Sequence, residues 1–156
     1  MNTSDAPHMI EFYQGGLDFT PHETKFIPGS ARIVAAGIGP GGTGALRVCE
    51  LDRDGTRDVL RDNAFRPQGI KCATFGASRP GEAHLAAGDY AGALSISDLE
   101  RGTSENGDGG KSDEVFSVRA HDGMVNAIDG IGGASFGAPE LATGGKDGCV
   151  KIWDPR

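Results

Sequence analysis

The sequence predicts an all-β protein built from stacked copies of one small sheet, a partial β-propeller whose ring does not close. Three observations predict it. The segment Leu141-Ala-Thr-Gly-Gly-Lys-Asp-Gly-Cys-Val-Lys-Ile-Trp-Asp154 is matched position for position by Leu85-Ala-Ala-Gly-Asp-Tyr-Ala-Gly-Ala-Leu-Ser-Ile-Ser-Asp98. A looser copy runs Val34-Ala-Ala-Gly37 and, after an insertion, Gly44-Ala-Leu-Arg-Val-Cys-Glu50. Glycine supplies 26 of the 156 residues, far above the usual share of about 7%, and it gathers where turns are expected. No window of eleven residues or more carries a helical apolar period between turn signals.

Each copy reads as a hairpin. After the glycine, Leu46/Val48, Leu94/Ile96 and Val150/Ile152 alternate with other residues at period two, the mark of a strand. Lys146-Asp147-Gly148 and Tyr90-Ala91-Gly92 stand where the chain must reverse. Asp-Gly is a strong two-residue hairpin signal, both central positions of that turn needing positive φ. The repeat-end acids Glu50, Asp98 and Asp154 are 48 and 56 residues apart. A four-stranded propeller blade repeats at roughly 40–45 residues, so both intervals fit once loops are inserted.

In chain order, residues 1–8 are polar and predicted to be a disordered lead, and residues 9–13 are a short strand candidate. Blade one covers about 17–60, with Asp54-Gly55 as its best turn between strands at 46–51 and 57–60. Blade two covers about 70–118, with strands at 70–75, 84–88, 93–99 and 115–118. Its insertion, residues 102–112, is glycine-rich and polar. Such a segment buries too little apolar surface to offset its ordering entropy and is expected to be a mobile loop. Blade three covers about 121–156, with strands at 125–128, 141–144 and 149–153. Propellers have about 4–8 blades, and about two and a half are present, so the expectation is a piece of a longer protein.

Trp153-Asp154 then gains a context. The sequence resembles the WD40 repeat family, and its third copy carries the family pattern most fully. The resemblance implies a structural tetrad of His121 before the inner strand, Thr143 on the second strand, Asp147 in the next turn and Trp153 on the third strand. Ala120 stands where the family usually has glycine. At the Trp position the earlier copies have Cys49 and Ser97, and at the Thr position Gly39 and Ala87. They are expected to hold by packing alone and to be less rigid.

The stretches Ile70-Lys-Cys-Ala-Thr-Phe-Gly-Ala77, Asn126-Ala-Ile-Asp-Gly-Ile-Gly-Gly133, Gly137-Ala-Pro-Glu140 and Trp153-Asp-Pro-Arg156 are similar to the N-terminal part of Monad-type WD-repeat proteins. That resemblance runs over residues 9–156. It implies a non-enzymatic scaffold, an adaptor in cytoplasmic assembly of axonemal dyneins whose partners are proteins, dynein subunits and a co-chaperone complex among them.

Composition narrows the function classes. Net charge is −7, against the basic face that nucleic-acid binding needs. No apolar run approaches the roughly 20 residues of a membrane span, and no secretory pattern opens the chain. Cys49, Cys72 and Cys149 form an odd count without close pairs, which fits a reducing, cytoplasmic setting and small buried thiols. His8, His22, His84 and His121 are scattered without metal-ligand spacing, so no metal, cofactor or catalytic residue is expected.

The alternative is a dinucleotide-binding enzyme. From Gly37 to Gly42 the chain satisfies G-x-G-x-x-G directly after the apolar stretch Ile33-Val-Ala-Ala36, as a pyrophosphate-binding turn does. That reading needs a helix to start next. Gly44 in its first turn and Asp52–Gly55 soon after make a poor one, and 44–50 align with the later strands.

Overall fold

The structure is a computed structural model that describes residues 9, 11–79, 81–100, 113–131 and 141–154. Among the described residues, eleven strands form three antiparallel meanders. The first sheet holds β1 (Thr20–Phe26), β2 (Arg32–Ile38), β3 (Gly44–Asp52) and β4 (Gly55–Arg66), in that order. The second holds β5 (Ile70–Thr74), β6 (His84–Asp89), β7 (Ala93–Asp98) and β8 (Asp113–Arg119). The third holds β9 (Val125–Gly130), β10 (Leu141–Gly145) and β11 (Val150–Trp153). Among the described residues the helical content is a single 3-10 turn, Pro40–Gly42.

The sheets stack face to face through aliphatic layers. Val34, Ala36, Leu46, Val48 and Leu60 of the first sheet meet Ile70, Ala73, Phe75, Leu85 and Ala87 of the second. Ala86, Leu94 and Ile96 meet Leu141, with Val118, Ile128 and Trp153 packed at the margin. Period-two alternation explains how one sheet serves two layers: adjacent Ala86 and Ala87 point into different cores. Small residues let the inner strands approach closely. A Cβ on Gly76 would lie 2.3 Å from Gly130 Cα, so only glycine fits that contact.

Several sequence expectations are corrected. Residues 9 and 11–13 are not in a strand, and no strand among the described residues pairs with them; Phe12 and Tyr13 are exposed, at 70% and 48%. The turn at 37–42 opens no helix. β3 begins at Gly44 and pairs with β2 from Ile38↔Gly44 to Arg32↔Glu50, so a hairpin stands where a dinucleotide fold would place its phosphate-binding helix. The first-sheet turn is one residue earlier than expected, since Asp52 pairs with Gly55 around Arg53-Asp54.

The third-sheet turn is a three-residue loop rather than a two-residue one. Gly145 N–H donates to Cys149 O and Gly148 N–H to Gly145 O, while only Gly148, at φ 76°, has positive φ. This is a turn closed by a left-handed glycine at the bulge position. Cys149 is exposed and lies just before β11, not buried within a strand. The lead at 1–8, the insertion at 102–112, the residues 132–140 and Pro155-Arg156 lie outside the described residues.

Candidate functional site

The candidate site lies at the end of the sheets where each inner strand begins and each second strand turns back. In the third sheet that end is organised by His121, 1% exposed, in the connection from β8 to β9. Its Nδ1 lies 3.0 and 3.1 Å from the two Asp147 carboxylate oxygens, and its Nε2 lies 2.8 Å from Thr143 Oγ1. Trp153 Nε1–H donates to the same Thr143 oxygen at 2.8 Å. The four residues predicted as a tetrad are therefore brought together, and one polarity satisfies every member. Trp153 N–H donates to Thr143, the Thr143 hydroxyl donates to His121 Nε2, and His121 Nδ1–H donates to Asp147. Buried polar groups connected in this way rigidify because none is left unpaired.

Asp147 has two further duties. Its carboxylate accepts the Cys149 and Asp122 amides, each at 3.1 Å, and so fixes the turn and the loop that enters β9. The Cys149 amide, chiefly, holds the Asp147 carboxyl below its ordinary value, with the Asp122 amide and His121 adding and partial burial opposing. A depressed carboxyl pKa stabilises the fold above the unfolded value of about 3.9 and loses that contribution as pH falls through the folded value. The stability difference between the native chain and Asp147→Asn should accordingly shrink once pH drops below about 4. Denaturation midpoints measured from pH 7 to pH 2 check this, and two parallel curves would contradict it.

The earlier sheets do not rest on packing alone. Ser97, at the Trp position and fully buried, accepts from Arg66 Nη2, and Ser95 accepts from Arg66 Nε at 3.0 Å. In the first sheet the Thr position falls at Ala35, not Gly39. Ala35 pairs with Arg47 as Thr143 pairs with Lys151, whereas Gly39 lies beyond the end of β2. Arg47, 6% exposed, reaches Asp18 Oδ1 at 2.7 Å and Gly16 O at 3.4 Å. Lys151 Nζ likewise donates to Ala120 O at 2.5 Å. Arg47, Ser95 and Lys151 all stand three residues before the repeat-end acids. Each sheet thus ties its third strand to the chain entering its inner strand through a cation, which the sequence comparison of Trp and Thr positions missed.

The repeat-end acids are not gathered into one site. Glu50 pairs with Arg57, Asp98 accepts the Glu100 amide at 2.9 Å with His84 3.9 Å away, and Asp154 follows β11 in an exposed position. Asp89 was not singled out from sequence. Its Oδ1 accepts the Ala91 and Ala93 amides, at 2.9 and 2.7 Å, and shapes the second-sheet turn as Asp147 shapes the third. An aspartate followed two and four residues later by small residues was the available signal.

Two of the thiols, Cys49 and Cys72, are held in the protonated form. Burial, with the Asp58 hydrogen bond, pushes Cys49 up to about 11, and burial pushes Cys72 up to about 12. A thiol held protonated is not the reactive species. Among the described residues no cluster of three or more His, Cys, Asp or Glu could hold a metal, and no helix is long and apolar enough to cross a membrane.

Comparison with known proteins agrees with this architecture. No family model matches the chain. It is 39% identical over 158 residues to dynein axonemal assembly factor 10 of Chlamydomonas reinhardtii and to that of Homo sapiens, covering 100% of the chain and 41% of either relative. The Xenopus laevis protein of that name is 38% identical over 97% of the chain. The chain thus spans about two fifths of the length of the curated relatives it matches. Among solved structures, Chaetomium thermophilum Sqt1 bound to the N-terminus of the ribosomal protein L10 superposes with a TM-score of 0.61 at 20% identity, over 85% of this chain and 31% of that one. With three stacked meanders and the His121-to-Trp153 hydrogen-bonded chain, the protein is a partial β-propeller of the WD40 type.

Proposed function

We propose that this chain is part of a non-enzymatic interaction scaffold, an adaptor that serves the cytoplasmic assembly of axonemal dyneins by docking dynein subunits and a co-chaperone complex. The observation that carries this reading is the 39% identity to dynein axonemal assembly factor 10, which extends along the whole chain. The three sheets are read as successive blades of one domain over residues 9–156. The tetrad of His121, Thr143, Asp147 and Trp153 is read as structural: its polar atoms satisfy one another, which stiffens the frame. Binding then falls to the loops and rims, the usual arrangement when short connections ride on a rigid sheet scaffold.

Affinity purification from ciliated algal cells tests the proposal. A tagged copy of the chain should enrich axonemal dynein subunits from cytoplasmic extract relative to a tagged unrelated propeller. The proposal fails if the tagged full-length relative enriches dynein subunits in the same cells and the chain enriches none.

A further inference from the structure

Arg66 is the last residue of β4 and pairs in the ladder with Gly44, so its backbone belongs to the first sheet. Its side chain belongs to the second. Nε donates to Ser95 Oγ at 3.0 Å and Nη2 to Ser97 Oγ, both on β7, while Nη2 also lies 3.3 Å from Glu114 Oε2 on β8. Nη1 donates back to Phe65 O at 2.7 Å, and the guanidinium lies over the Phe65 ring, 4.2 Å from its centroid. The side chain is 12% exposed. Burial pulls the guanidinium below its usual value, and the carboxylates of Glu114, Asp62 and Asp89 oppose that pull.

The position is as telling as the contacts. Arg66 lies four residues before Ile70, where β5 begins, and His121 lies four residues before Val125, where β9 begins. Each side chain enters the sheet that follows it. His121 meets a hydroxyl on the second strand, Thr143. In the second sheet that position is Ala87, which has no hydroxyl, and the hydroxyls stand one strand further out at Ser95 and Ser97. Ser95 is the direct ladder partner of Ala87. An imidazole in contact with the second strand is too short to reach across it. A guanidinium is longer and offers five N–H donors in a rigid fork.

We propose that Arg66 occupies in the second sheet the station that His121 holds in the third, and that it ties the outer strand of the first sheet to β7 and β8 of the second. The exchange of histidine for arginine is matched by Ser97 at the Trp position and by Ser95 one strand beyond Ala87, which holds the Thr position. Because Arg66 is itself within the β4 ladder, the tie crosses between sheets, whereas His121 sits in a connection and binds within its own.

Hydrogen exchange on the 156-residue chain tests this. Ser97→Ala removes one acceptor and spares the fold. It should speed exchange of the β7 and β8 amides about tenfold, the size expected for a lost hydrogen bond to a charged group, together with the amides of Phe65 and Arg66. Arg66→Met should do the same, and adding Ser97→Ala to it should change nothing further. Arg66→Lys should not restore protection, since an ammonium cannot span the four acceptors. If the stations are equivalent, Ala87→Thr recovers protection lost in Arg66→His and none lost in Arg66→Met. Additive effects of Arg66→Met and Ser97→Ala, unchanged exchange at Phe65 and Arg66, or equal effects of Ala87→Thr in both backgrounds would overturn the proposal.

Discussion

Replacing His121 by alanine should destabilise the chain by about 3 kcal/mol, a fall in Tm of roughly 10 °C. His121 is fully enclosed and connects the Asp147 carboxylate to the Thr143 hydroxyl, for which it is the acceptor. Its removal leaves the Thr143 hydroxyl short of an acceptor and opens space beneath the turn. Each buried group left unsatisfied costs about 1–3 kcal/mol. Thr143→Val is the matching probe, because it keeps shape while removing the oxygen shared by His121 and Trp153. The two substitutions act on one chain of hydrogen bonds, so their effects should be strongly non-additive. Thermal denaturation of the two single variants and the double variant checks this. A double variant as unstable as the sum of the singles would mean that the groups do not act as one network.

What the sequence disclosed was the part of the fold with period. Leu94/Ile96 and Val150/Ile152 alternate, and β7 and β11 carry them. Gly148 and Gly92 mark the second-to-third strand turns, and both have positive φ. Even the deceptive G-x-G-x-x-G from Gly37 to Gly42 could be resolved from sequence, since Gly44–Glu50 matched later strands and β3 runs there.

The hidden part concerned side chains that leave their own repeat. Arg66 is two or more strands away in sequence from Ser95 and Ser97, and no local pattern joins them. Aligning repeats column by column exposed missing Trp and Thr residues and therefore predicted loosely held sheets. It could not show that Arg66 supplies a partner to Ser95 and Ser97 from the neighbouring sheet, or that Arg47 ties its own sheet to Asp18. The position of Gly39 failed for a related reason. The insertion between β2 and β3 lets the sequence match slide, whereas the pairing Ala35↔Arg47 fixes the register.

Gly92→Ala should be as damaging as any single change in the chain, at about 3 kcal/mol or more. Gly92 ends the turn between β6 and β7 with φ 92°, a conformation that costs an L-residue about 1–2 kcal/mol. The greater part of the damage comes from the neighbouring sheet. Gly92 O accepts the amides of Ala120 and His121, at 2.8 and 3.0 Å, so the second-sheet turn is joined directly to the loop that carries the histidine. An added Cβ would lie 2.2 Å from His121 O and 2.4 Å from Gly123 O. Both obstacles are backbone, with no rotamer to yield, so relief requires the two sheets to separate at this end. Gly148→Ala supplies the control. It has φ 76° but nothing within 4 Å of the added carbon, and it should lose only the backbone strain of a left-handed alanine, about 1–2 kcal/mol. If the excess in Gly92→Ala comes from the sheet contact, hydrogen exchange at Ala120 and His121 rises in that variant and not in Gly148→Ala. Equal melting points for the two variants would show that the turn conformation alone matters, and that the junction between the second and third sheets is held by the aliphatic layer of Leu94, Ile96 and Leu141 instead.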